Sequence, residues 1–333
     1  MKAFVVNKYG KDEKLHLTSV LEPSIKDDEV LVEIHSVGLN LLDSKIKSGE
    51  FKLILPYKMP LILGHDLAGV VVKKGSMVTR FNVGDEVYAR PSDMHIGAFA
   101  EYLAVNEKDL ALKPKNLTMS EAASVPLVAL TAWQALVELG KVEKGQKVFV
   151  QAGSGGVGIM AIQLAKYLGA TVATTASAGS FALLKKLGAD VLIDYKNQDF
   201  ESVLKDYDLV INSQDARTLE KSLNILKTGG KVISISGPPT PDFGKKIGAS
   251  WFVRSILSLI SFNIRKKAQK RGVCYEFLFM RANGGQLEEI AKLIESGTIN
   301  IILDRVYLFE QTNEALAYLE KGHAKGKVVV EVK

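Results

Sequence analysis

One short segment constrains this chain more than any other: Gly153-Ser154-Gly155-Gly156-Val157-Gly158. It follows a strand-like apolar run, Lys147 to Gln151, and opens a helical pattern, Val157 to Leu168. Glycines at the first, third and sixth positions allow a tight turn and a close backbone approach by a ligand. The start of the helix offers unpaired N–H groups and the positive end of a dipole, which together favour a pyrophosphate. A lone glycine pattern is weak evidence. Set between a strand and a helix with a further strand beyond, it predicts a dinucleotide site rather than a merely structural turn.

Strands and helices keep alternating after the turn. Strands are predicted at Thr171 to Thr175, Val191 to Ile193, Asp208 to Ile211 and Lys231 to Ile235, with a helix over Ser180 to Leu187. Such alternation implies a doubly wound, mostly parallel sheet. Upstream the pattern differs. Short β-branched runs such as Val30 to Ile34, Gly69 to Val72 and Asp85 to Ala89 are broken by turn residues, which predicts a β-rich, barrel-like domain. A helix is expected over Ser120 to Leu139, capped by Ser120. Strands at Asn300 to Phe309 and Lys327 to Val332, with a helix over Gln311 to Glu320 between them, are read as returning to the first domain. The expected boundaries are therefore 1–121 with 297–333 for the β-rich domain and 122–296 for the dinucleotide domain.

With 47% hydrophobic and 24% charged residues, the composition is that of a globular protein. A net charge of +6 suits anionic ligands but is too weak and dispersed to indicate nucleic acid. The single cysteine, Cys274, excludes an intramolecular disulfide and a cysteine-rich zinc site. It lies in an apolar run and is expected in a core strand. Met1 to Val6 reads as a strand rather than a signal peptide, and a cytoplasmic location is expected. The segment Ile247 to Ile264 is strongly apolar and is followed by Arg265-Lys266-Lys267 and Lys270-Arg271. Helical cover over the active site or a subunit interface is the preferred reading of 247–271. Peripheral contact with an anionic membrane surface is the sharper alternative.

The second strand of the dinucleotide unit bears on the cofactor. An NAD site usually carries an acidic residue about 20 residues after the turn, to bind the ribose 2′-hydroxyl. No Asp or Glu occurs between Gly158 and Asp190, and the strand ends in Thr174-Thr175-Ala176-Ser177. This predicts NADPH; the alternative is an acidic partner supplied from elsewhere in the fold.

Beyond the turn, the chain carries Leu63-Gly64-His65-Asp66-Leu67-Ala68-Gly69, Phe81-x-Val83-Gly84-Asp85-Glu86-Val87, Leu130-Thr131-Ala132-Trp133, Leu187-Gly188-Ala189-Asp190 and Gly326-Lys327-Val328-Val329. In these it resembles the zinc-free quinone oxidoreductase branch of the medium-chain dehydrogenase/reductase superfamily, over nearly its whole length. The resemblance implies a Rossmann doubly wound sheet, a GroES-like catalytic domain and a homodimer. It implies further that Asn40, also a catalytic candidate, and Thr131 lie near the nicotinamide, with capping as the alternative for both, and that the backbone of Gly153, Ser154, Gly155, Gly156, Val157 and Gly158 holds the pyrophosphate. Ser177 and Tyr195 would surround the 2′-phosphate. Ser236, Gly237, Phe277 and Phe279 would cross the nicotinamide end, and Lys327 would lie near the cofactor. Many relatives place a basic residue where this chain has Ser180, so Lys185 or Lys196 is the candidate substitute.

Zinc-dependent members of the superfamily use Cys, His and Cys. The matching positions here are Asn40, His65 and the neighbourhood of Leu127, which cannot form a tetrahedral N/S site. No metal is expected, and His65 is read as a hydrogen-bonded structural residue. Leu42 stands where those enzymes carry a relay hydroxyl. Without a Lewis acid, the expected chemistry is hydride transfer to an already electrophilic acceptor, a quinone or an α,β-unsaturated carbonyl. Tyr57 matches a cleft tyrosine in the resembling family and is the candidate hydrogen-bond donor to the acceptor; a packing role is the alternative. Two other functions stay open at this point: a carbonyl or alcohol reductase, and a non-catalytic NADPH-binding protein.

Overall fold

The computed structural model describes residues 1–52 and 54–333. They form two compact units, Met1–Leu130 with Arg281–Lys333, and Thr131–Met280.

The first unit is built from short strands. In chain order these are β1 (Lys2–Val6), β2 (His16–Ser19), β3 (Glu29–Gly38), β4 (Leu61–Ile62), β5 (Asp66–Lys74), β6 (Glu86–Ala89), β7 (Tyr102–Asn106) and β8 (Leu110–Leu112), with helix α1 (Leu41–Ser48) after β3. Helices α2 (Met119–Ala123) and α3 (Pro126–Trp133) close the N-terminal part. The long strand β3 organises the unit, pairing antiparallel with β5, β7 and the last strand of the chain. Its side chains are nearly all buried, as expected for a strand with neighbours on both edges.

The helical run expected from Ser120 to Leu139 is interrupted. Thr118, not Ser120, caps α2, through a capping box with Glu121. Ser120 instead lies inside α2 and bonds Ser36 and Glu331. Pro126 then opens α3, a position where its missing N–H costs nothing. Residues Gln134–Leu139 continue as a π-helix.

The second unit contains β9 (Lys147–Val150), α4 (Gly156–Tyr167), β10 (Thr171–Ala176), α5 (Phe181–Lys186), β11 (Val191–Asp194), α6 (Phe200–Val203), β12 (Tyr207–Asn212), α7 (Ala216–Ser222), β13 (Leu226–Ser234), α8 (Pro241–Lys246), α9 (Trp251–Lys270) and β14 (Cys274–Phe277). The strands form one parallel sheet in the order β11-β10-β9-β12-β13-β14. The order reverses between β9 and β12, which is where a doubly wound sheet binds ligands beyond its strand ends. Its core packs Phe149, Phe200, Tyr207, Val210 and Val232 together.

Cys274 lies in a strand, as expected, but not in the core. β14 is an edge strand and the Cys274 side chain is exposed. Partial burial raises its thiol above the ordinary value, which keeps it protonated and weakly nucleophilic.

The chain then returns to the first unit with α10 (Gly284–Glu295), β15 (Leu303–Leu308), α11 (Thr312–Glu320) and β16 (Lys327–Glu331). β16 pairs with β3 on one edge and with β15 on the other. The fold is thus a Rossmann doubly wound sheet joined to a β-rich GroES-like unit. Among the described residues, no helix is long and apolar enough to cross a membrane.

Candidate functional site

The glycine turn is shaped by two kinds of contact. Its outer glycines are buried and packed against the protein itself. A Cβ on Gly153 would meet Thr174 Oγ1 at 2.1 Å, and one on Gly158 would meet the Ala152 carbonyl oxygen at 2.4 Å. These two glycines allow α4 to cross β9 and β10 closely. Gly155 differs, because its Cβ would meet only the Ala152 oxygen, at 3.4 Å. Ser154 to Val157 are partly exposed.

The end of β10 holds the turn in place. The Ala152 N–H donates to Thr175 Oγ1 at 3.2 Å and the Gly153 N–H to the Thr175 carbonyl at 2.9 Å. Gly155 is the N-cap of the 12-residue α4, and no side chain caps that helix. A glycine cap with accessible backbone and no competing side chain fits a pyrophosphate.

A buried polar network lies at the strand ends beside the turn. The Gln151 amide donates to Ser222 Oγ at 2.7 Å, Asn212 Nδ2 to Gln151 Oε1 at 2.7 Å, and Ser234 Oγ to Asn212 Oδ1 at 2.6 Å. Each group is satisfied by the next, so the C-terminal edge of β9, β12 and β13 is held rigid. The sequence reading missed these residues. The available signal was a polar residue ending each of three apolar strands.

The remaining expected cofactor residues of this unit lie around the same sheet. Thr131 is buried in α3 and Ser177 is half-buried just after β10. Tyr195 is 61% exposed after β11. Ser236 Oγ donates to the Gln214 carbonyl at 2.6 Å, and the Gly237 N–H donates to Ser234 Oγ at 2.7 Å. Phe277 and Phe279 both pack on Phe243, with ring centroids 5.1 and 5.5 Å away. Lys185 and Lys196, the candidate substitutes for a basic residue at Ser180, are exposed, whereas Ser180 is buried with its hydroxyl unpaired. Sheet register also brings a carboxylate to this end: Asp194 sits opposite Ala176. It accepts from the Lys196 N–H at 3.1 Å and Asn197 Nδ2 at 2.8 Å, which engages it in its own turn.

In the first unit, Asn40 and Lys327 belong to a buried ionic cluster. Lys327 Nζ donates to Asn40 Oδ1 at 2.6 Å, to the Leu39 carbonyl at 2.8 Å and to Asp66 Oδ2 at 3.2 Å. Asn40 Nδ2 donates to Asp66 Oδ2 at 2.9 Å, and the Leu127 N–H to Asp66 Oδ1 at 2.7 Å. Burial pushes the Asp66 carboxyl above its ordinary value, opposed by the Lys327 ammonium. Asn40 caps α1 with its backbone, while the Asp43 carboxylate reaches back to the Asn40 N–H at 2.9 Å.

His65 is fully buried, with Nδ1 2.6 Å from Asp43 Oδ1. The three positions that carry zinc ligands in related dehydrogenases therefore hold a bonded amide, an aspartate-paired imidazole and the alkyl side chain of Leu127. This donor set does not fit zinc. Among the described residues, no group of three or more His, Cys, Asp or Glu side chains is placed to hold a metal.

Tyr57 is half-buried, and its hydroxyl donates to the Asp93 carbonyl in a short hydrogen bond. Burial raises the phenol well above the ordinary tyrosine value.

Comparison with known proteins agrees with this geometry. Residues 26–115 match the alcohol dehydrogenase GroES-like domain family, and residues 187–330 match the zinc-binding dehydrogenase family. The chain is 38% identical to 2-methylene-furan-3-one reductase of Solanum lycopersicum, over 99% of this chain and 79% of that protein. It is 37% identical to the chloroplastic NADPH-dependent alkenal/one oxidoreductase of Arabidopsis thaliana, with the same coverage. The solved quinone oxidoreductase of Coxiella burnetii superposes with a TM-score of 0.87 at 30% identity, covering 100% of this chain and 99% of that one. Fold, glycine turn, substituted zinc positions and relatives all agree: the chain belongs to the zinc-free quinone oxidoreductase branch of the medium-chain dehydrogenase/reductase superfamily.

Proposed function

We propose that this chain reduces a quinone or an α,β-unsaturated carbonyl with NADPH, without a metal. The observation that carries the reading is the turn from Gly153 to Gly158, accessible at Ser154 to Val157 and uncapped by any side chain. Relatives named as an NADPH-dependent alkenal/one oxidoreductase and a furanone reductase support the acceptor class. When bound, NADPH supplies the hydride. For an enone, hydride adds to the β-carbon, a proton adds to the α-carbon, and the product is the saturated carbonyl with NADP⁺.

The protein's tasks are positioning and charge stabilisation. The turn backbone and the dipole of α4 receive the pyrophosphate. Ser177 and Tyr195 are the residues proposed around the 2′-phosphate, with Lys196 adding positive charge. Thr131, Ser236 and Gly237 are proposed at the nicotinamide end. Tyr57 is proposed to hydrogen-bond the acceptor carbonyl. An acceptor must draw that hydroxyl away from the Asp93 carbonyl. Because burial disfavours the phenolate, Tyr57 acts as a donor that keeps its proton. Asn40 and Lys327 act indirectly, by fixing the junction of β3 and α1 through their cluster with Asp66.

The test is NADPH oxidation by purified protein against an alkenal, an enone, a quinone and a saturated ketone. Turnover of the first three and not the ketone is expected. Turnover of the ketone alone would transfer the reading to a carbonyl reductase. Binding of NADPH without turnover of any acceptor would leave a binding protein. A cytoplasmic homodimer completes the proposal. Light scattering should return twice the 36.3 kDa chain mass, and cell fractionation would check the location.

A further inference from the structure

Helix α9 has a face that the rest of the protein does not cover. Leu257, Ser261, Ile264 and Ala268 recur at helical spacing and are buried against the second unit. The outer face of the first three turns is apolar. Trp251 is 73% exposed, Phe252 60%, Leu259 77%, Ile260 51% and Phe262 51%. Single exposed apolar residues are ordinary, but a contiguous set on one helix is not.

The C-terminal turns of the same helix carry Arg265, Lys266, Lys267 and Lys270, followed by Arg271, and α9 contains no acidic residue. Lys267 is paired with Glu220 at 2.7 Å. Lys266 stands over the Phe262 ring at 5.5 Å. Lys270 and Arg271 are exposed.

A second feature lies at the other end of the helix. A hollow of about 350 Å³ separates α8 from α9, lined by Asp242, Lys245, Trp251, Arg254, Ser255 and Ser258. The Arg254 Nε is buried there with no hydrogen-bond partner. The two helices touch at Gly244, where a Cβ would meet Leu257 Cδ1 at 2.8 Å and Arg254 Cγ at 3.0 Å. That contact fixes the Arg254 stem, so its guanidinium stays at the hollow.

We propose that α8 and α9 dock on an anionic membrane surface, with Trp251, Phe252 and Leu259 entering the headgroup boundary. Lys245 and Arg254 take a lipid phosphate in the hollow, and the cationic end of α9 lies along the neighbouring headgroups. The partly exposed Arg254, its Nε without a partner, and Lys245 bring two cations to the hollow, which calls for an anion. Apolar residues beside unpaired cations call for a surface that offers both acyl chains and negative charge. A second copy of the chain satisfies only half of this. Packing α9 on α9 would set the cations against each other or over the partner's apolar residues, with no carboxylate in the helix to receive them. Asp242 at the rim of the hollow works against the phosphate, and Lys245 and Arg254 outweigh it in charge.

The experiment is flotation of the whole protein with vesicles of phosphatidylcholine alone and of phosphatidylcholine with phosphatidylglycerol. Emission from Trp251 is followed in parallel, with the NADPH reductase activity of each variant as the folding control. Binding is expected only to the anionic vesicles, weakening with salt and accompanied by a blue shift. Leu259→Asp should weaken it on the order of tenfold or more, the loss of one buried leucine. Arg254→Gln should weaken it while leaving soluble-acceptor activity intact. No binding to anionic vesicles at low salt would overturn the proposal. So would equal binding to neutral vesicles, or binding indifferent to Leu259→Asp. Uptake of inorganic phosphate alone would make the hollow an anion site rather than a lipid site. A dimer that Leu259→Asp converts to a monomer would assign the face to a second copy.

Discussion

Lys327 and Asp66 tie together four parts of the chain that are remote in sequence: β16, the β3–α1 junction, β5 and the start of α3. Lys327 is 5% exposed and Asp66 is fully buried. Removing one partner of such a pair leaves a buried charge without compensation, which costs about 3–5 kcal/mol. Lys327→Met should therefore destabilise the chain by about that amount in chemical denaturation. Adding Asp66→Leu should recover part of the loss, because the orphaned carboxylate is then gone. If the double variant were as unstable as the sum of the singles, the pair would not be coupled. The glycines allow a second prediction at this scale. Gly158→Ala forces a methyl against the Ala152 carbonyl and should cost about 1–3 kcal/mol of stability. Gly155→Ala meets only an ordinary contact, so the fold should survive it. NADPH affinity should nevertheless fall by about tenfold, since on the proposed function the added methyl would stand where the pyrophosphate approaches the backbone. Thermal melts read the first effect and NADPH titration the second.

Secondary-structure elements show which local signals the sequence carried. Helix α7 is capped by Asp215, whose carboxylate accepts from the Thr218 N–H at 2.8 Å. Hydrogen bonds from the Thr218 hydroxyl first and its N–H second hold the Asp215 carboxyl below the usual carboxylate range. Asp215→Ala should cost about 1 kcal/mol at neutral pH. A depressed folded value means the stabilisation is complete above the ordinary carboxylate value and is lost as the pH falls through the lower, folded one. The difference between wild type and Asp215→Ala should accordingly narrow in acid; a constant gap would show that charge has no part in the cap. Capping of this kind is local, which is why the strand–turn–helix around Gly153 was legible in the sequence. The break at Pro126 was not read, although the proline itself stood in the sequence, because the apolar pattern runs through it from Ser120 to Leu139. Thr118 with Glu121 is likewise a capping box that the hydroxyl of Ser120 obscured. Cys274 was misplaced for a different reason. Its neighbours are apolar, but exposure depends on β14 being the sheet's last strand, and strand order is a long-range property. The same reason hid Asp194, which register rather than sequence distance brings opposite Ala176.

At the scale of the whole molecule, chain connectivity has a thermodynamic consequence. The Rossmann unit is one uninterrupted piece, residues 131–280, whereas the GroES-like unit is assembled from 1–130 and 281–333. Every residue of the glycine turn and of the polar network behind it lies in the uninterrupted piece. A ligand bound there stabilises that piece directly, by RT ln(1 + [L]/Kd), about 2.7 kcal/mol at a hundredfold excess over Kd. The other unit has its own organising interactions, the pairing of β3 with β16 and the Lys327 cluster, and neither draws on the glycine turn. Hydrogen exchange with and without NADPH should therefore show added protection concentrated between β9 and Ser177, with β3 and β16 changing least. NADH at the same concentration should protect the same amides less, because the neutral stretch from Thr174 to Ser177 contains no carboxylate to bind an unphosphorylated ribose. Equal protection by NADH would show that Asp194 serves as the ribose acceptor and would overturn the preference for NADPH. Uniform protection across both units would show instead that the molecule opens as a single cooperative body.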